Sequence, residues 1–236
     1  MTRQLLAALG AIIAAGAASA QSRPLSAGPN RMELRVERRE AGEWKPVDPS
    51  SVFASGDQLR FRFKTNFPGF LYVMNHGTSG EYLLLYPTKE AGESNRIDGG
   101  RDYVVPGNDG AFKISGPEGF DVMYWLISPS ELRAEDGTKR SGYVPLPPPP
   151  KNVSKALASL RPRCDDTIFR ARGECVDANA GVKQVRTTEQ LPDNLKPVPN
   201  LTARELVFIR EPNKAVVSSP APLDGPVIYE YRLAHR

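Results

Sequence analysis

Gln58-Leu59-Arg60-Phe61-Arg62-Phe63-Lys64-Thr65, followed after Asn66-Phe67-Pro68-Gly69 by Phe70-Leu71-Tyr72-Val73-Met74-Asn75, decides the fold. The first run alternates polar or charged residues with apolar ones. Successive side chains of a strand point to opposite faces, so this run reads as a strand with one face on a core and one in water. The second run is apolar on both faces, which predicts a central strand covered from both sides. Pro68 and Gly69 mark the turn between them.

The same reading extends in both directions. Met32, Leu34 and Val36 interleave with Arg31, Glu33, Arg35 and Glu37, which predicts a strand over Arg31 to Arg39. Ala41-Gly42 turns it into a short return strand, Glu43 to Val47. Downstream, Gly77-Thr78-Ser79-Gly80 is a hairpin loop into Glu81 to Tyr86, which Pro87 stops. Lys89 to Arg101 is polar and glycine-containing, hence a surface loop. Asp102 to Val105 and Ala111 to Ile114 are short strands. Phe120 to Ile127 is a strand that brings Trp125 to the core. Near the end, Glu205 to Arg210, Ala215 to Ser218 and Pro226 to Leu233 carry strand signals; in the last, Val227, Tyr229 and Tyr231 share one face.

With 22 prolines and 20 glycines in 236 residues, turns and short strands are favoured over long helices. The predicted class is all-β, mainly antiparallel, a sandwich of immunoglobulin-like architecture with a short helix at Asn152 to Leu160 and an irregular excursion. The chain divides into an export signal (1–20), a β-sandwich core (21–144), a proline-rich linker and excursion (145–200), and C-terminal strands that pair back onto the core (201–236). A lone hairpin is marginal in water, which is why those last strands are expected in the main sheet.

The address is bacterial export. Arg3 precedes an alanine-rich apolar stretch, and Ala18-Ser19-Ala20 is a small-x-small cleavage pattern, which places the cut between Ala20 and Gln21. No later segment is apolar for the ~18 residues a membrane helix needs, so no span is expected after cleavage. Location is therefore periplasmic or secreted. In an oxidising compartment Cys164 and Cys175, the only two cysteines, are expected to form a disulfide. A loop of this size stabilises by about 3 kcal/mol when unstrained. Pro145 to Pro150 reads as a polyproline spacer.

The chemistry-bearing residues are few. The net charge of +4 is spread over alternating strands, with the aromatics on the opposite, buried face, so nucleic acid is not an expected partner. His76 lies beside a hairpin loop that contains Ser79, but no G-x-S-x-G elbow surrounds them, and both histidines, His76 and His235, read as solvated. Asp165, Asp166 and Asp177 lack EF-hand spacing and read as polar residues of the disulfide loop. No catalytic set, metal site or cofactor motif is expected.

Several ordered motifs carry a family resemblance. Ser55 to Phe61, Asn66 to Val73, Leu84-Leu85-Tyr86-Pro87, Asn95-Arg96-Ile97, Tyr103 to Pro106, Gly116 to Gly119 and the strand Val122 to Ser128 together resemble domain-of-unknown-function family 4384, over roughly residues 52–132. The resemblance implies a compact β-domain of exported bacterial proteins and supplies no catalytic residues.

The expected function is a non-catalytic binding or interaction module in the bacterial envelope, with an envelope protein or polymer as partner. Its contact surfaces are expected at the loop Lys89 to Arg101 and the excursion around Cys164 to Cys175. The alternatives are an envelope hydrolase, using His76 and Ser79 or an unrecognised carboxylate pair, and a structural component that assembles through an exposed edge strand.

Overall fold

In β4 (Gln58–Thr65), Leu59, Phe61 and Phe63 are buried while Gln58, Arg60, Arg62 and Lys64 stay half-exposed, as the alternation requires. The strand belongs to a computed structural model that describes residues 30–92, 94–107, 109–132, 160–183, 207–211, 213–219 and 225–236. The export signal, the proline run and the predicted helix up to residue 159 lie outside the described residues.

Two sheets form a sandwich. In the first, β1 (Asn30–Glu40) pairs on one side with β4. On its other side it pairs with β13 (Lys214–Ser219) and then with β2 (Glu43–Val47). β4 in turn holds β8 (Asp102–Val105) and β9 (Phe112–Lys113), and β12 (Val207–Glu211) extends the sheet beyond β13. In the second sheet, β10 (Gly119–Ser128) lies between β5 (Gly69–His76) and β14 (Val227–His235). β6 (Tyr82–Tyr86) and β7 (Arg96–Ile97) pair with β5. β11 (Gly181–Lys183) and, in parallel, β3 (Val52–Phe53) pair with β14. The other described pairings are antiparallel. The C-terminal strands thus enter both sheets, and β14 runs through the interior of the second.

The sheets meet through aromatic rings. Trp125 of β10 meets Phe61 and Phe63 of β4 edge-on at 5.4 and 5.8 Å and stacks on Tyr229 of β14 at 6.2 Å. Tyr231 packs edge-on against Phe61 at 5.6 Å. Its hydroxyl donates to the Pro49 carbonyl at 2.8 Å, and the Tyr229 hydroxyl faces Met32 Sδ at 2.9 Å. Burial pushes both phenols well above the ordinary tyrosine value, so they stay neutral donors. The FLYVMN run is covered on both faces as predicted: Leu71 and Val73 face the other sheet, while Tyr72 and Met74 join Tyr124, Leu126 and Ile228 in a second apolar cluster on the outer face.

Four expectations need correction. β7 lies in the stretch expected to be a surface loop and β11 in the excursion expected to be irregular, because strands of two or three residues carry no legible periodicity. The loop Lys89 to Arg101 is largely docked: Ala91, Asn95 and Ile97 are buried, and the Leu71 N–H donates to the Asn95 carbonyl at 2.8 Å. The excursion has regular structure, α1 (Thr167–Ala171) and β11, and it is tied to the sandwich. The Cys164–Cys175 disulfide is present, the Val52 N–H donates to the Cys175 carbonyl at 2.8 Å, and Cys175 packs with Val52, Phe120 and Ala234. On the polar face of the first sheet, Glu37 is buried between Arg60 and Arg62, and Trp44 lies under the Arg60 guanidinium at 4.4 Å. That face is therefore not purely solvated, and one aromatic belongs to it.

Trp125 touches both layers, so Trp125→Ala is expected to cost about 3–5 kcal/mol, measured as the shift in urea midpoint at unchanged slope. A cost under about 1 kcal/mol would contradict its place at the sheet interface.

Candidate functional site

The inward column of β10 runs Gly119, Asp121, Met123, Trp125, Ile127. Its apolar middle gives way to a polar end, because the neighbouring strands place polar residues at the same level. The register sets Asn75 of β5 opposite Met123, and His235 of β14 opposite Gly119. Thr78 of the β5–β6 loop closes over Gly119, where a Cβ would lie 2.4 Å from Thr78 Cγ2. Only glycine leaves space for the loop there.

Asp121 organises this end. Its Oδ1 accepts from the Thr78 N–H at 2.8 Å and the Thr78 hydroxyl at 3.3 Å, and faces His235 Nε2 at 3.2 Å. Its Oδ2 accepts from Asn75 Nδ2 at 3.4 Å. Burial pushes the carboxyl up, but the bonds from His235, Thr78 and Asn75 and the His235 charge outweigh it and hold the group below the ordinary carboxylate range. The cluster joins a hairpin loop, a central strand and the end of β14 through one carboxylate.

Beside this polar end, a half-open cleft of about 260 Å³ runs in from the side where β6 of one sheet faces β9 of the other. Its walls are Leu59, Phe61, Leu83, Leu85, Phe112 and Met123, and Asn75 and Asp121 lie at its polar end. A register shift between Val73 and Met74 marks a bulge in the β5–β6 pair. The extra residue lets both Leu85 and Tyr86 pack inward, and Leu85 lines the cleft. Leu83, at the mouth, is 44 % exposed.

The sequence-predicted residues fall elsewhere or play other roles. His235 is buried, not solvated, because the parallel pairing of β14 with β3 carries it inside. His76 is the last residue of β5; its ring stacks on Tyr82 at 3.9 Å and its Nε2 is buried without a hydrogen-bond partner. Burial pushes this imidazole below its ordinary value, against the pull of Asp121. Ser79 is exposed, and no hydrogen bond joins it to His76. Thr78 and Asp121 both approach the same nitrogen of His235, which is not the relay of hydroxyl, ring and carboxylate through two ring nitrogens that nucleophilic catalysis uses.

The three aspartates of the excursion are structural. Asp166 caps α1 by accepting from the Ile168 N–H at 2.9 Å. Asp165 accepts from the Ala178 N–H, and Asp177 from the N–H groups of Arg163 and Asn179. Among the described residues no group of three or more His, Cys, Asp or Glu side chains is placed to hold a metal. Sequence reasoning missed Asp121 and Asn75. The one available signal was a charged residue at an inward position of an otherwise apolar strand.

Fold and site together define a β-sandwich with a side cleft between its sheets that ends in a fixed carboxylate. Within it, residues 52–131 match the family described as Domain of unknown function (DUF4384). No curated protein and no solved structure matches the chain significantly. The matched segment holds β3 to β10, and so supplies Asn75, Thr78, Asp121 and most of the cleft; His235 and the strands β1 and β14 come from outside it.

Two outcomes are expected. The segment 52–131 expressed alone leaves Phe61, Phe63 and Trp125 without β1 and β14, so it should lack the dispersed amide spectrum of a folded sheet; a well-dispersed spectrum would show that the flanks are dispensable. Asp121→Asn should lower stability at neutral pH by about 1.5–3 kcal/mol. A carboxylate held low stabilises the fold above its ordinary pKa, and that contribution disappears as pH falls through the lowered value. His76 acts with the same sign, losing its contribution below an ordinary value of about 6.5. The deficit of Asp121→Asn in urea unfolding should therefore shrink with acidification, and a pH-independent deficit would contradict the role of Asp121 as an ionised acceptor.

Proposed function

We propose that the chain is an exported, non-catalytic binding module of the bacterial envelope, and that its working site is the cleft between β6 and β9. One observation carries this reading: an apolar cleft of about 260 Å³ is open at one side and ends in a carboxylate and an amide whose positions are fixed by other parts of the fold. Concave, mostly apolar sites with a few placed polar groups are the usual form of a ligand site. The pattern of residues 1–20 and the disulfide support action outside the cytoplasm. The polar residues at the cleft are engaged with one another as positioning bonds, which suits recognition better than bond cleavage. The hydrolase alternative draws no support from His76 and Ser79, which do not meet.

The test is made in the native envelope. The mature protein should begin at Gln21, and a photo-crosslinking residue placed at Leu83 should capture an adduct that the same residue at the distant, exposed Ile168 does not. Retention of residues 1–20 in the cytoplasm, or equal labelling from both positions, would overturn the reading.

A further inference from the structure

We propose that β6 is the docking edge for an extended segment of a partner protein, which adds a strand beside it and sends alternate apolar side chains into the mouth of the cleft. This deepens the binding-module reading and rests on it.

The edge calls for a partner. The two sheet orders have four ends, β12, β8, β11 and β6. A strand at such an end turns unpaired N–H and C=O groups outward, and natural proteins blunt it with charges or proline. Here β8 carries Asp102, β11 carries Lys183, and β12 carries Arg210 and Glu211. β6 reads Tyr82-Leu83-Leu84-Leu85-Tyr86, with no charge and no proline, and its Leu83 is 44 % exposed. Among the described residues β6 pairs with β5 alone. A β-prone, uncharged edge of this kind is a template for another strand.

The cleft beside that edge sets the partner's side chains. Leu83 and Leu85 of β6 form one lip and Phe112 of β9 the other. Phe61 and Met123, deeper in, belong to the same core cluster as Trp125, so the cleft continues the interface between the sheets. An added strand lies about 4.8 Å outside β6, and its inward side chains meet these walls. Against the ~150 Å³ apolar cavity that holds benzene, a cleft of about 260 Å³ takes about two leucine-sized side chains. Residues two apart on a strand share a face at about 7 Å, so the fitting pattern is apolar-x-apolar. Asp121 makes its bonds to Thr78, His235 and Asn75 within the fold, so the partner supplies no polar group there.

Charge separates this partner from a second copy of the chain. Lys113, on the β9 lip, is exposed and makes no ion pair among the described residues. Because β6 and β9 are the two lips of one cleft, a two-fold pairing of β6 with β6 would bring the two β9 strands together, Lys113 towards Lys113. A partner segment with an acidic residue beside its apolar pair meets that lysine with opposite charge instead.

The experiment titrates the disulfide-intact protein with the synthetic peptide Thr-Leu-Thr-Leu-Thr-Leu-Glu. Its controls are the block peptide Leu-Leu-Leu-Thr-Thr-Thr-Glu and two N-methylated forms, one methylated on the leucine amides and one on the threonine amides. The alternating peptide should bind about tenfold more tightly than the block peptide and slow amide exchange in β6. Every second amide of an added strand faces β6, so one N-methylated form should lose about tenfold and the other should not. Leu83→Lys, at a position already open to water, should weaken binding about tenfold with the urea midpoint unchanged. Lys113→Glu should weaken it about threefold, and a lysine in place of the peptide's glutamate should restore it. Equal binding of the two N-methylated forms, or binding without protection of β6, would overturn strand addition. A dimer that forms without peptide and separates in Leu83→Lys would make the occupant a second copy and overturn the partner assignment. Failure of every peptide would also overturn the inference, and the binding-module reading falls with it only if a crosslinker at Leu83 captures nothing in the envelope.

Discussion

The packing of Trp125 against Phe61, Phe63 and Tyr229 is the constraint on which the rest of the molecule depends. A sheet with one apolar face cannot stand alone in water, and these rings are where the two sheets bury their faces in each other. β10 lies inside the second sheet, so fixing its register fixes β5 and β14, and through them β6, β3 and β11. Edge-to-face and offset ring contacts add directionality to the burial, so the sheets have a preferred alignment as well as a shared interior.

The cleft follows from that alignment. Sheets pinned at Trp125 and Tyr231 close where rings fill the gap and open where the inward positions carry leucines, an asparagine and an aspartate. The bulge in the β5–β6 pair turns Leu85 inward, and the absence of a side chain at Gly119 lets Thr78 fold over the end of β10. Asp121 then gathers its contacts from two separated segments, Asn75 and Thr78 at the end of β5 and His235 of β14. A buried carboxylate without them would be costly; with them it is an ionised, oriented group beside an apolar space.

Most of the strands were legible from local pattern. The alternation of Gln58 to Thr65 and the doubly apolar run Phe70 to Asn75 predicted both burial and position in the sheet, since period and composition are local properties of a strand. β3, β7 and β11 were not legible, since they are made by the partners they lie against. The docking of Lys89 to Arg101 was hidden for the same reason: Ala91 and Ile97 are isolated among polar residues and acquire meaning only beside Leu71 and Tyr86. His235 read as a solvated terminal residue, because nothing nearby in sequence announces a parallel pairing with β3 or a carboxylate 114 positions away.

The sequence by itself determined the class of fold, the main strands and their faces, the cysteine pair and the resemblance that the match over residues 52–131 bears out. These depend on side-chain periodicity, turn chemistry and motif order, all readable over a few neighbours. The tertiary structure alone decided that Asn75, Thr78, Asp121 and His235 form one site, that Leu83 and Leu85 wall a cleft, and that the excursion docks beside β14. Each of those depends on which strands lie side by side and in what register, and register is set by long-range packing around Trp125 rather than by any local run of residues.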